Sequence, residues 1–193
     1  MSEPFSKELV LSAYSQGIFP MGHDDGLIRW YSPDPRCIFD FDSFHIPKRL
    51  MRTYRSGKFE MRVNSAWDEV LHLCASRDST WITDDIFRVY TELHEDGFAH
   101  SVEAYYEGKL AGGLYGVSIG GAFMGESMFH TVTDASKVSL VYLVERMKER
   151  GFILLDSQYM TEHLSTFGAV LISRREYLTR LERALRLNCK FGD

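Results

Sequence analysis

A chain of 193 residues with 45% hydrophobic and 25% charged content has room for one domain with a real core, or one domain with a small appendage. Three scattered cysteines, Cys37, Cys74 and Cys189, form no CxxC or Cys/His cluster, which excludes a disulfide framework or zinc site and places the expected home in a reducing cytoplasm, with no metal. The net charge of −5 hides an asymmetry, because residues 45–62 carry Lys48, Arg49, Arg52, Arg55, Lys58 and Arg62 against Glu60 alone. Such a window is either a footprint for a polyanion or a solvated helix face.

In chain order, the opening MSEPFSKELVLSAY has acidic residues and no long apolar run, so no signal peptide is expected, and no stretch of 18 apolar residues exists to span a membrane. Ser6 or an earlier residue caps a helix over 7–16, ended by Gly17. GIFPMG reads as a turn, 28–32 as a short strand stopped by SPDP, and 37–41 as another strand. Pro47 opens a helix running to about Tyr54. A strand at 59–63 leads to a helix capped by Asn64 or Ser65, with Trp67, Val70, Leu71 and Cys74 on one face. Thr83 precedes a second periodic run through Ile86, Val89, Tyr90 and Leu93, closed by Gly97.

From Ala99 the period changes to two. Residues 99–106, 109–118 and 122–128 read as an antiparallel meander. A helix from Asp134 or Ser136 stops at Gly151, and the apolar run 152–155 suits a strand covered on both faces. A short helix near 162–166, a strand at 169–172 and a basic helix from Arg174 to about Leu187 complete an α+β order with one central sheet and helices on its faces.

The stretch GGLYGVSIGGAFMGESMF (112–129) is rich in glycine, which in strands marks a bulge or the close approach of another group, so it reads as a site or as a plain glycine-rich hairpin. It carries one carboxylate, Glu126. Asp156 and Gln158 stand two apart at a strand end, where their side chains share a face. If the two strands are neighbours, Glu126 and Asp156 share a pocket suited to a cation or to proton transfer. His94, His100, His130 and His163 show no ligand spacing and read as surface or capping residues. No triad, P-loop or G-x-G-x-x-G is present. On periodicity, Leu114, Phe123, Met128, Leu140, Leu143, Met147 and Leu155 read as core. Tyr14, Phe19, Trp30, Tyr31 and Trp81 lie close to basic segments, as in sites for unpaired nucleotides and also at ordinary core rims.

Taken together, AYSQGIFPM (13–21), WYSPDPR (30–36), TWIT (80–83), LHEDGFAHSVE (93–103), the glycine-rich stretch, ASK (135–137), DSQ (156–158) and HLSTFGA (163–169) resemble the leucyl/phenylalanyl-tRNA–protein transferases, in that family's order. The resemblance implies a GNAT-like acyltransferase domain, with a mixed, largely antiparallel sheet flanked by helices, at 37–193 behind a small N-terminal domain at 1–36. The boundary lies somewhere in 35–64. It implies transfer of Leu, Phe or Met from aminoacyl-tRNA to proteins that begin with Arg or Lys, marking them for N-end-rule degradation, without a cofactor.

The resemblance also assigns residues. Asp156 and Gln158 match the catalytic pair, with Gln158 touching the attacking amine and Asp156 orienting and polarising it; Glu126 supports the pair or the cationic acceptor. The apolar set named above, Leu114 to Leu155, matches the pocket for the transferred side chain, and Tyr14 and Trp81 match residues near the tRNA 3′ adenosine. The six basic residues of 45–62 are the expected contact with the tRNA backbone. Met21 stands where many members have Trp. Two other classes are weighed: a coenzyme A-dependent N-acetyltransferase, for which HTVTDASK lacks the expected glycine-rich loop, and a non-catalytic module for basic N-termini.

Overall fold

A computed structural model describes residues 5–23, 25–76 and 80–193, so the first four residues of the leader reading lie outside it. Helix α1 (Lys7–Ser15) is capped by Ser6, whose hydroxyl accepts from Leu9 N–H. The GIFPMG segment, read as a turn, is instead strand β1 (Phe19–Gly22), paired antiparallel with β2 (Ile28–Tyr31) in a two-stranded ribbon. A proline inside the segment argued against a strand, but an edge tolerates a missing donor.

The remaining strands form one seven-stranded sheet in the order β4-β5-β6-β7-β8-β3-β9. These are β3 (Arg36–Phe39), β4 (Glu60–Val63), β5 (Ala99–Tyr106), β6 (Lys109–Ile119), β7 (Ala122–His130), β8 (Leu154–Gln158) and β9 (Ala169–Ile172). The β5–β6–β7 meander is as the two-residue period indicated, and all pairings are antiparallel except β7 with β8. Its α+β character, a largely antiparallel sheet between helices, matches the expected fold class.

One face carries α1, α3 (Trp67–Ala75), α4 (Asp84–Glu95) and α7 (Arg174–Leu185), around Val10, Val70, Val89, Leu93 and Leu181. The other carries α2 (Lys48–Arg55) and α5 (Ala135–Glu149), around Leu50, Val138, Val141 and Val144. A last short helix, α6 (Glu162–Ser165), bridges β8 and β9. The cap proposed for α3 is corrected: Ala66 occupies that position, Asn64 takes a left-handed φ of 57°, and the Ser65 hydroxyl binds the buried Glu103 at 3.2 Å. Helix α5 lies so close to the sheet that a Cβ on Gly112 would stand 2.5 Å from Ala135 Cβ, well inside contact distance. Glycine here therefore sets the helix–sheet spacing, one of the two roles read from the glycine-rich stretch.

The parallel pairing of β7 with β8 runs for only three residues, ending at Met124 opposite Asp156. Beyond it, neither Gly125–Glu126 nor Ser157–Gln158 pairs across this seam. A parallel pair that stops in mid-sheet leaves a cleft between two strand ends, and that cleft positions the site.

Candidate functional site at the split between two strands

Two irregularities aim side chains into the cleft. On β7, Tyr115 faces Ser127 and Gly116 faces Gly125, which leaves Glu126 as the extra residue of a β-bulge. On β8, Cys37 faces Gln158 and Ile38 faces Asp156, so Ser157 is extra there, and Gln158 takes a left-handed φ of 63°. Bulges re-aim side chains, and a non-glycine residue at positive φ persists only where its surroundings hold it. Here the holding bond comes from Asp156, whose Oδ1 accepts the Gln158 backbone N–H at 2.9 Å.

Asp156 is itself fully engaged. Its carboxylate accepts Arg36 Nε and Nη2 at 2.9 and 2.6 Å and the Tyr177 hydroxyl at 2.8 Å. Asp156 and Arg36 are 0% and 1% exposed. The Arg36 guanidinium lies between the rings of Phe19 and Tyr177, 4.7 and 4.5 Å from their centres, and gives a further hydrogen bond to Gly17 C=O. Burial pulls the Arg36 pKa down, but the hydrogen bonds and charge of Asp156 outweigh it and raise the value overall. Asp156 meets Gln158 at the backbone N–H and not at the side-chain amide, which turns to Glu126.

Gln158 Nε2–H donates to Glu126 Oε1 at 2.9 Å, and the Tyr14 hydroxyl donates to the same oxygen at 2.5 Å. Tyr14 and Tyr90 hydroxyls are 2.5 Å apart, and because Tyr14 spends its proton on Glu126, Tyr90 is the donor between them. Glu126 Oε2 is buried and has no partner among the described residues. Burial pushes the Glu126 carboxyl up to about 7, against the two hydrogen bonds that pull it down and with Asp156's charge adding to the rise. Burial also raises both tyrosines well above their usual range.

These groups open onto a cavity of about 530 Å³. Leu114, Met128, Leu140, Leu143 and Leu155 line it, together with Trp81 and Met21. Phe123 and Met147 do not: both are 0% exposed in the core behind it, Phe123 against Phe191 at 4.9 Å and Met147 one helical turn beyond Leu143. Tyr14, expected beside a tRNA base, is 1% exposed and meets the site only through its hydroxyl.

Lys48, Arg49, Arg52, Arg55, Lys58 and Arg62 are all exposed. Arg49 forks onto Asp134 at 2.7 and 2.8 Å, and Arg62 pairs with Glu60. Among the described residues no group of three or more His, Cys, Asp and Glu could hold a metal, and no helix is long and apolar enough to cross a membrane.

Sequence reasoning missed Arg36, Tyr90 and Tyr177. Arg36 alone left a trace, as a charge leading directly into the apolar CIF strand. His163 and His130, read as surface or capping residues, both line the cavity.

The description "Leucyl/phenylalanyl-tRNA protein transferase" matches residues 38–182 of this chain, and that family's N-terminal domain matches residues 3–34. A leucyl/phenylalanyl-tRNA–protein transferase of Gloeobacter violaceus is 54% identical over 95% of this chain and 96% of its own. One from Salinibacter ruber is 52% identical over 96% and 82%. Among solved structures, a GCN5-related N-acetyltransferase-like protein from Streptococcus suis aligns with a TM-score of 0.42 and 11% identity, over 86% of this chain and 64% of that one.

Proposed function

The chain belongs to the leucyl/phenylalanyl-tRNA–protein transferase family, and from that footing we propose that it moves Leu, Phe or Met from aminoacyl-tRNA to the α-amino group of proteins beginning with Arg or Lys, in the cytoplasm, as a mark for N-end-rule degradation. The observation that carries this reading is the Glu126–Gln158 hydrogen bond at 2.9 Å across the split between β7 and β8, over an apolar cavity.

Glu126 takes the amide N–H of Gln158, so Gln158 Oε1 is the atom left to accept a hydrogen bond. In our reading it receives one N–H of the incoming amine and points the lone pair at the ester carbonyl. Placing a neutral amine on an already activated ester supplies most of the acceleration. A neutral amide is too weak a base to take the amine's proton, and both Asp156 oxygens are engaged. Glu126 Oε2, buried and unpartnered, is the oxygen with capacity to spare. With a pKa of about 7, its carboxylate exists at neutral pH, takes the amine's proton as the amide bond forms, and can return it to the ribose oxygen of the tRNA as the ester C–O bond breaks.

The donor side chain enters between Leu114, Met128, Leu140, Leu143 and Leu155. Met21 and Trp81, which also line the cavity, receive the terminal adenosine. Tyr14 acts from behind, by fixing Glu126. The six exposed cations of residues 45–62 hold the tRNA backbone.

The acetyl-coenzyme A reading is disfavoured by Asp134. It holds the N-cap position of α5 with its carboxylate 4% exposed, where a pyrophosphate would need positive charge. One assay separates the readings: purified protein, a peptide beginning with Arg, and radiolabelled Leu-tRNA, Phe-tRNA or acetyl-coenzyme A. Label should pass from the tRNAs and not from the thioester; transfer from acetyl-coenzyme A alone would overturn the assignment.

A second experiment concerns the basic window. Reversing Lys48, Arg52 and Arg55 to Glu, which spares the Arg49–Asp134 pair, should weaken tRNA binding and flatten its salt dependence. A loss of about 0.7–0.9 in the slope of log K against log salt is expected for each phosphate contact removed. Binding titrations at several salt concentrations read this directly, and an unchanged slope removes the window from the tRNA path.

A further inference from the structure

We propose that Ser136 and His163 form a hydrogen-bonding end wall to the donor pocket, and that this wall admits an aromatic donor side chain carrying a hydroxyl at its tip. The inference rests on the reading of this cavity as the side-chain pocket.

The cavity is not uniformly apolar. On α5, the residues facing it are Ser136, Leu140 and Leu143, spaced four and three apart on one helix face, so that face turns polar at its N-terminal end. His130 lines it too; it pairs with Gly112, whose Cβ position would lie 2.9 Å from Ser136 N, so both stand at the end of β7 beyond the split. From α6 comes His163, whose Nε2 is buried with no hydrogen-bond partner among the described residues. Ser136 is 5% exposed. The catalytic carboxyl and amide thus lie toward one end of the cavity and a hydroxyl and an imidazole toward the other.

Burial, with Lys137 and His130 nearby, lowers the His163 pKa, so the ring is neutral at pH 7. A neutral imidazole nitrogen either donates or accepts, and a serine hydroxyl does both. A buried polar atom left unmatched is costly, and matching it recovers that cost. Leu and Phe offer this wall nothing. A phenol offers both a donor and an acceptor, at the end of a side chain that otherwise suits aliphatic walls. An all-apolar pocket would instead penalise the same hydroxyl for losing water without a replacement.

The test uses one tRNA charged chemically with Leu, Phe, Tyr or p-methylphenylalanine, and one acceptor peptide beginning with Arg. Hydroxyl and methyl are close in size, so the Tyr to p-methylphenylalanine ratio of kcat/KM reports hydrogen bonding at the tip. The native protein should favour Tyr about tenfold or more. Ser136→Ala and His163→Leu should each shrink the ratio, and together bring it to one or below, whatever they do to the absolute rate of Phe transfer. Partial unfolding lowers both rates equally and leaves the ratio intact.

Three results would overturn the proposal: p-methylphenylalanine matching Tyr in the native protein, a ratio that survives the double substitution, or transfer of Phe with neither para-substituted donor. Silence of all four donors, Leu and Phe included, would instead overturn the donor-pocket reading itself, and the two failures are told apart by those controls.

Discussion

Arg36→Met is expected to cost about 3–5 kcal/mol of folding stability and to abolish transfer. The substitution leaves the Asp156 carboxylate 0% exposed and without its counter-charge, which is the expensive way to break a buried ion pair. Asp156→Ala errs in the same way from the other side, stranding the guanidinium, so lost activity in that variant says little about chemistry. The informative protein is Arg36→Met combined with Asp156→Asn. Asparagine keeps a carbonyl oxygen for the Gln158 backbone N–H and removes the charge. Most of the stability should return, read as the midpoint of denaturant unfolding. If Asp156 acts by holding the turn that aims Gln158, transfer should return to within about tenfold of native. A stable double variant that remains inactive by more than about a hundredfold would show that the negative charge itself acts on the reaction.

Glu126→Gln should lower kcat by roughly 10²–10⁴, the range typical of a lost general base. The native kcat/KM should rise with pH through about 7 as Glu126 ionises, and that limb should vanish in the variant, leaving only the acceptor amine's own titration near 7.7–8.0. Stability moves in the opposite sense. The folded carboxyl holds its proton up to about 7, whereas the unfolded one releases it near 4.5, so folding is most favoured at the acidic end of that window and weakens as pH rises across it. The span is on the order of 3 kcal/mol, and Glu126→Gln should flatten it. A native profile with no limb near 7, or an unchanged limb in the variant, would reassign the proton to another group.

The sequence disclosed the architecture more readily than the site. A two-residue period over 99–130 marked the meander, although helices bury both faces of its strands over much of their length. The apolar run before Asp156 announced a strand covered on both faces, and at the start of β8 Leu154 packs in one core and Leu155 in the other. The GIFPMG strand escaped because its proline and glycine carry turn signals that a two-stranded ribbon overrides.

For the site, composition and motif order pointed to Glu126, Asp156 and Gln158, but not to how they meet. Both bulges are properties of pairing between strands, so no single segment reveals them. Phe123 and Met147 read as core by periodicity and as pocket by resemblance, and periodicity was right, because pocket and core share one face of β7 and α5 and depth along that face is a tertiary property. Arg36 was hidden for a different reason. A charged residue at the start of an apolar strand usually marks its exposed end, whereas this one runs inward to Asp156.

Tyr14 and Arg36 reach the split strand pair from the first 36 residues, one on α1 and the other at the start of β3. A fragment cut cleanly at Cys37 would keep Glu126, Asp156 and Gln158 yet carry a stranded acid and an unbraced one. The opening segment is therefore no detachable adaptor for tRNA. Grafting it from a distant relative should succeed only when the donor brings its own matching tyrosine and arginine, which ties the inheritance of the two parts together.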